Sequence, residues 1–219
     1  MNIGLRSLCL FSLLAVAPAF ASEKILGLLA LPKTFGIVDP NGAPGLAAPA
    51  KLQPTYVYAK PDQKSRAISK ILKLEDAPTL EYGYEKPGLV VYEKTSGWFR
   101  VALSTGTGWV RAEKTGNFRE YPKLVKDGLS YLTEHWDGTL RPSPNESAAA
   151  AKVAGRPKEG AMDARVHEIM NEKIGLWFRV EALNPGHCQT TDAKPVAAGW
   201  VPGYAPSGKE TVWFFSRGC

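Results

Sequence analysis

The segment Trp98-Phe99-Arg100-Val101 returns as Trp177-Phe178-Arg179-Val180, and each copy runs on to a Gly-Trp-Val, at Gly108-Trp109-Val110 and Gly199-Trp200-Val201. Two motifs repeated in the same order mark a duplicated structural unit. Inside the first copy Phe99, Val101 and Leu103 alternate with Trp98, Arg100 and Ala102, which is the period of a half-buried strand. The alternation assigns Phe99/Val101 and Phe178/Val180 to the core. Trp98 and Trp177 then belong to the opposite face, nearer the surface or the boundary between units.

Short β-prone runs separated by Gly, Pro, Asp and Ser follow one another along the chain, so the fold class is all-β. In the first copy they cover 55–59, 79–85, 89–95, 97–103 and 107–112, and in the second 130–134, 165–171, 176–183, 197–202 and 211–216. The stretch 67–74 is less clear, because Ala67, Ile68, Ile71 and Leu72 also fit a helical stripe. Residues 65–71 align with 147–153, where an alanine run favours helix, and a loop followed by a strand is the preferred reading in both copies. Gly106 and Gly108 are expected to supply the positive backbone angles of a tight strand connection.

The ends of the chain set the compartment. Residues 1–21 combine a basic start at Arg6, an apolar run over 8–16 and Ala19-Phe20-Ala21, the pattern of a secretory signal cleaved before Ser22. That run is too short to cross a bilayer, which needs about 20 residues. The expectation is an exported protein, periplasmic or extracellular, with no membrane anchor after cleavage. Residues 22–54 open with an apolar stretch, Ile25 to Leu31, and continue rich in Pro, Gly and Ala, as a linker or a docking segment. Units at 55–116 and 128–219 follow.

Two cysteines, Cys188 and Cys219, remain after the leader, and in an oxidising compartment their default is a disulfide. It would close a loop of about 30 residues and contribute roughly 3–4 kcal/mol, holding a C-terminal strand. The chain carries 27 Lys+Arg against 21 Asp+Glu, a formal net charge of +6, reduced by one when Arg6 leaves with the leader. The charges alternate without a basic block, so no nucleic-acid footprint is visible. A catalytic thiol at Cys188 beside His187 is disfavoured, since its Asn-Pro-Gly and Gln-Thr-Thr-Asp surroundings offer no helix N-terminus to lower the thiol pKa. His135, His167, His187 and Cys188 match no metal-ligand spacing. No enzyme, metal or cofactor is expected.

Tyr58-x-x-Pro61, weakly matched by Thr139-x-x-Pro142, precedes a long loop. Gly97-Trp98-x-x-Val101 and Leu176-Trp177-x-x-Val180 follow, and then the turn at Gly106 and Gly108 that leads into Trp109. With these residues the chain resembles the bacterial Src homology 3 domains, well over 56–112 and less well over 131–203. The resemblance implies two tandem small β-barrels. It also implies a non-catalytic binding module of the cell envelope, with peptidoglycan or an envelope protein as partner. The alternative is a structural or regulatory protein that holds another periplasmic or secreted protein. The candidate binding residues are the aromatics Tyr56, Tyr58, Tyr82, Trp98, Trp109, Trp136, Trp177 and Trp200. Packing is the competing role for each, because tryptophans on a strand also seal the mouth of a barrel or the joint between two.

Overall fold

The computed structural model describes residues 23–30, 54–72, 76–156, 161–186, 189–190 and 192–218. The leader at 1–21, residues 31–53, and the proposed pairing of Cys188 with Cys219 lie outside the described residues. The first copy contains β1 (Gly27–Ala30), β2 (Thr55–Tyr58), β3 (Ala67–Ile71), β4 (Thr79–Glu81), β5 (Pro87–Thr95), β6 (Trp98–Leu103), β7 (Gly106–Arg111) and β8 (Phe118–Glu120). After α1 (Tyr121–Asp127) come β9 (Ser130–Leu132), β10 (Thr139–Leu140), β11 (Ala151–Lys152), β12 (Met162–Glu172), β13 (Gly175–Leu183), β14 (Pro195–Pro202) and β15 (Val212–Phe214). The protein is all-β in class, with antiparallel sheets joined by one short helix.

The duplication is visible rung by rung. Trp98, Phe99, Arg100 and Val101 face Arg111, Val110, Trp109 and Gly108 across β6 and β7. Trp177, Phe178, Arg179 and Val180 face Pro202, Val201, Trp200 and Gly199 across β13 and β14 in the same register. The partner strand on the other side is also repeated, down to its irregularity: β5 shifts register between Val91 and Glu93, and β12 between Val166 and Glu168. A bulge at the same place bends both long strands and adds local twist. Beyond the bulge each copy makes the same cross-strand ion pair, Glu93 with Arg100 at 3.0 Å and Glu168 with Arg179.

The repeat reaches past the tryptophan strands. In sheet order the first copy runs β8-β1-β5-β6-β7-β2-β3 with β4 added to β5, and the second runs β15-β9-β12-β13-β14. Thus β1 stands where β9 stands, and β8 where β15 does. The hairpin of β2 with β3 corresponds to that of β10 with β11, because each crosses onto the Gly-Trp-Val strand, through Tyr58↔Trp109 and Arg141↔Trp200. Strands β1 and β8, which lie outside 55–116, join the same sheet as β2 to β7. Strands also form in both ambiguous stretches, where the ladders to β2 and β10 override the helical pattern.

Neither sheet closes on itself among the described residues, unlike the barrels expected above. The outer strands β8 and β15 end their sheets. Inside the first unit Leu29, Val57, Ile71, Leu89, Val91, Phe99, Val101 and Val110 form one core. Leu28, Val90 and Ala102, on the reverse side of the same strands, belong to a second core that runs through α1 into the other unit and includes Tyr121, Phe178, Val180 and Val201. Consecutive residues of a strand point to opposite faces. Leu28 and Leu29, both 0 % exposed, thus serve two different cores. Ile25 fastens the approach to β1, its N–H donating to Glu210 Oε1 at 3.1 Å and its carbonyl accepting from the Tyr204 hydroxyl at 2.8 Å. The apolar start of the 22–54 segment is a central strand.

The glycine of each Gly-Trp-Val has a common physical cause. Gly106 takes φ 99° at the turn, whereas Gly108 has no positive φ, which corrects the turn role expected for it. A Cβ on Gly108 would stand 2.3 Å from Val57 Cγ1. One on Gly199 would stand 2.9 Å from Leu140 Cβ and 2.8 Å from the Arg141 carbonyl. The equivalent hairpins lie directly over these glycines. Gly199→Ala is expected to cost about 1–3 kcal/mol through forced displacement of β10. An unchanged thermal midpoint would mean that the hairpin is not seated on β14 in solution.

Candidate functional site

The β2–β7 edge of the first unit gathers several of the expected aromatics. Val57 enters the core, so its neighbours Tyr56 and Tyr58 point to the other face, which they share with Trp98, Trp109 and Arg111. The Tyr58 ring stands edge-on to Trp98 with centroids 5.2 Å apart. The Arg111 guanidinium covers both, 5.5 Å from the Tyr58 centroid and 5.2 Å from that of Trp98. It also reaches Glu113 at 3.4 Å, while its buried Nε has no hydrogen-bond partner among the described residues. Beside this stack opens a cleft of about 350 Å³ lined by Pro54, Tyr56, Tyr58, Arg111 and Lys114.

The chemistry of the cleft follows from its walls. Tyr56 is 51 % exposed and offers a ring on which a flat or sugar-like group can stack. Arg111 is pre-positioned by the two rings beneath it, and Lys114 stands free of any ion pair among the described residues. Two cations against the single carboxylate of Glu113 make an edge that favours an anionic group.

The second copy has lost this arrangement. By register, Arg141 replaces Tyr58, which corrects the match of Thr139 to that tyrosine; Thr139 replaces Tyr56 and Pro202 replaces Arg111. Arg141 lies over Trp177 at 5.9 Å and pairs with Asp137 at 3.4 Å, and its Nε is also buried without a partner among the described residues. An arginine over the repeated tryptophan thus recurs, supplied from a different strand. The open tyrosine does not.

Most of the other expected binding residues are packed. Trp98, at 7 % exposed, and Trp177, at 2 %, are buried, which corrects the surface alternative for them and leaves the one at the boundary between units. The outer face of β6 is covered by Tyr58 and Arg111 at one end and by the second unit at the other. Trp109 is buried as well. Trp136 is buried with its Nε1 donating to the Thr139 carbonyl at 2.7 Å and Arg156 over its ring at 5.2 Å. Trp200 is half-buried and exchanges two backbone hydrogen bonds with Arg141. Tyr82 lies elsewhere, beneath Arg119 in a groove between the units.

Arg111 and Lys114 were missed among the aromatics, although a signal for Arg111 was present. The turn from Leu103 to Gly106 holds only Ser104 and Thr105, and counting back along that hairpin sets Arg111 opposite Trp98. Neither of the described histidines, His135 and His167, lines the cleft. His135 sits 3.4 Å from Glu134, and His167 3.1 Å from Glu181. The His167 hydrogen bond, helped by Arg165, holds the Glu181 carboxyl below its usual range. Among the described residues no helix is long and apolar enough to cross a membrane. No family model matches the chain, and no curated protein or solved structure matches it.

Proposed function

We propose that this protein is an exported, non-catalytic binding module of the bacterial cell envelope, built from two Src homology 3-like units, and that it recognises peptidoglycan through the cleft of its first unit. The two-unit reading is supported by the matched rungs, the matched bulges and the Tyr58-x-x-Pro61 strand laid on a Gly-Trp-Val strand. One observation carries the binding reading: the exposed Tyr56 ring beside Arg111 and Lys114. A sugar ring stacks on such a tyrosine while the carboxylates of a stem peptide meet the two cations. Division of labour between the copies follows, the first binding and the second supporting.

Sedimentation of the purified protein with isolated cell-wall sacculi over a range of salt tests the reading. Wild type is expected to co-sediment, more weakly as salt rises, because part of the attraction is ionic. Tyr56→Ala is expected to lose about tenfold in affinity. Its stability should stay within about 0.5 kcal/mol of wild type, as for a surface substitution. Failure of wild type to sediment at any salt would remove peptidoglycan as the ligand.

A further inference from the structure

A second recess lies where the copies meet. It is a groove of about 690 Å³ with β8 on one wall, the end of β15 on the other and α1 along it. These walls are the equivalent outermost strands of the two sheets. An outermost strand leaves alternate N–H and C=O groups without a ladder partner. Ala30 takes the Asn117 carbonyl at 3.0 Å and gives its own carbonyl to Gly116 N–H at 2.9 Å. Ladder alternation then turns Arg119 toward Leu28 and directs the backbone groups of Phe118 outward, into the groove. On the facing wall the Val212 carbonyl already accepts from the Tyr121 hydroxyl at 2.6 Å. Among the described residues no strand pairs with the outer edge of β8, whereas the β15 edge gives its Val212 carbonyl to Tyr121.

The side chains around that edge add a second, independent feature. Phe118, Phe214 and Phe215 supply apolar wall, and Lys94, Arg119 and Lys123 supply positive charge against Glu120 and Asp127. None of these five charged groups is in an ion pair among the described residues. A smaller recess of about 370 Å³ shares Lys94, Phe118 and Glu120 with the groove and adds Lys24. Cations thus outnumber acids along the whole depression.

We infer that this groove holds an extended acidic peptide, added as a strand to β8, with one alternate set of apolar side chains on the Phe118 face beside Lys94 and the carboxylates of the other set toward Arg119 and Lys123. A polyanionic polysaccharide would satisfy the cations and leave the amide edge unused, so a peptide fits the groove better. The site is separate from the Tyr56 cleft and stands whether or not that cleft binds peptidoglycan.

Fluorescence anisotropy with the full chain and a labelled peptide of alternating glutamate and valine tests the inference. Saturable binding is expected, weakened about tenfold by Lys123→Glu on the exposed face of α1 and unaffected by Tyr56→Ala. N-methylation of alternate amides is expected to abolish binding for one of the two possible sets, since only one set faces β8. Lack of saturable binding would overturn the inference. So would indifference to N-methylation in both sets, or displacement of the peptide by polygalacturonate at equal charge concentration.

Discussion

Tyr121→Ala is expected to destabilise the chain by about 3–5 kcal/mol, the cost of deleting a fully buried aromatic ring. Tyr121 opens α1 between the two copies and is 0 % exposed. Its ring stacks on Trp213 with centroids 5.5 Å apart, meets Phe178 edge-on at 5.6 Å and lies 5.5 Å from Tyr204. Its hydroxyl points at the carbonyls of Val212, 2.6 Å away, and Gly203, 3.1 Å away, and having one proton it donates to the nearer. Tyr121→Phe keeps the ring and strands the Val212 carbonyl, while that of Gly203 keeps the Thr211 N–H at 3.2 Å, and should cost about 1–3 kcal/mol. Urea unfolding followed by fluorescence and by circular dichroism measures both variants. A wild-type-like midpoint for Tyr121→Ala would mean that the shared core contributes little and that the copies stand independently.

Alkaline pH reports on the same joint. Burial raises the phenol of Tyr121 well above its ordinary value, and burial followed by Glu210 raises that of Tyr204. A raised folded-state pKa contributes stability that is fully present below the unfolded value of about 10 and is lost as pH climbs above it, where the unfolded chain ionises first. Stability should therefore hold up to about pH 10 and fall beyond, less steeply in Tyr121→Phe.

Trp177→Ala is expected to cost a further roughly 3–5 kcal/mol in its own right while leaving ligand affinity unchanged in the fraction that stays folded. The ring is fully packed and carries the Arg141 guanidinium above it. Its removal leaves a cavity beneath a cation that already has an unpartnered buried nitrogen. Trp98→Ala should differ. It loses comparable stability, and it also removes the ring under both Tyr58 and Arg111, so binding through the Tyr56 cleft weakens with it. Calorimetric stability measured beside sacculus affinity separates the two. Equal loss of affinity in both variants would contradict the division of labour between the copies.

The alternation of Phe99, Val101 and Leu103 identified the inner face of β6 because period two is a property of the chain itself. The same alternation said nothing of what covers the outer face. Surface and unit boundary were consequently both open for Trp98 and Trp177, since Arg111 and Arg141, which cover the two rings, come from elsewhere in the fold. Gly27 to Ala30 escaped recognition as a strand for a related reason. A strand buried on both faces shows no alternation, so an apolar stretch before a Pro/Gly-rich segment reads as a docking tail. The alanine run before Lys152 points to helix by propensity, yet β11 pairs with β10 because a ladder partner outweighs propensity over so few residues.

The duplication, the strand character and the rung partners within each tight hairpin were determined by the sequence, for each depends on spacing along a few adjacent residues. Whether the sheets close, that Leu28 and Leu29 feed two cores, and that among the candidate aromatics Tyr56 keeps an open ring were decided only by the tertiary structure. Exposure and closure depend on which distant segments arrive at a surface, and long-range packing alone brings them there.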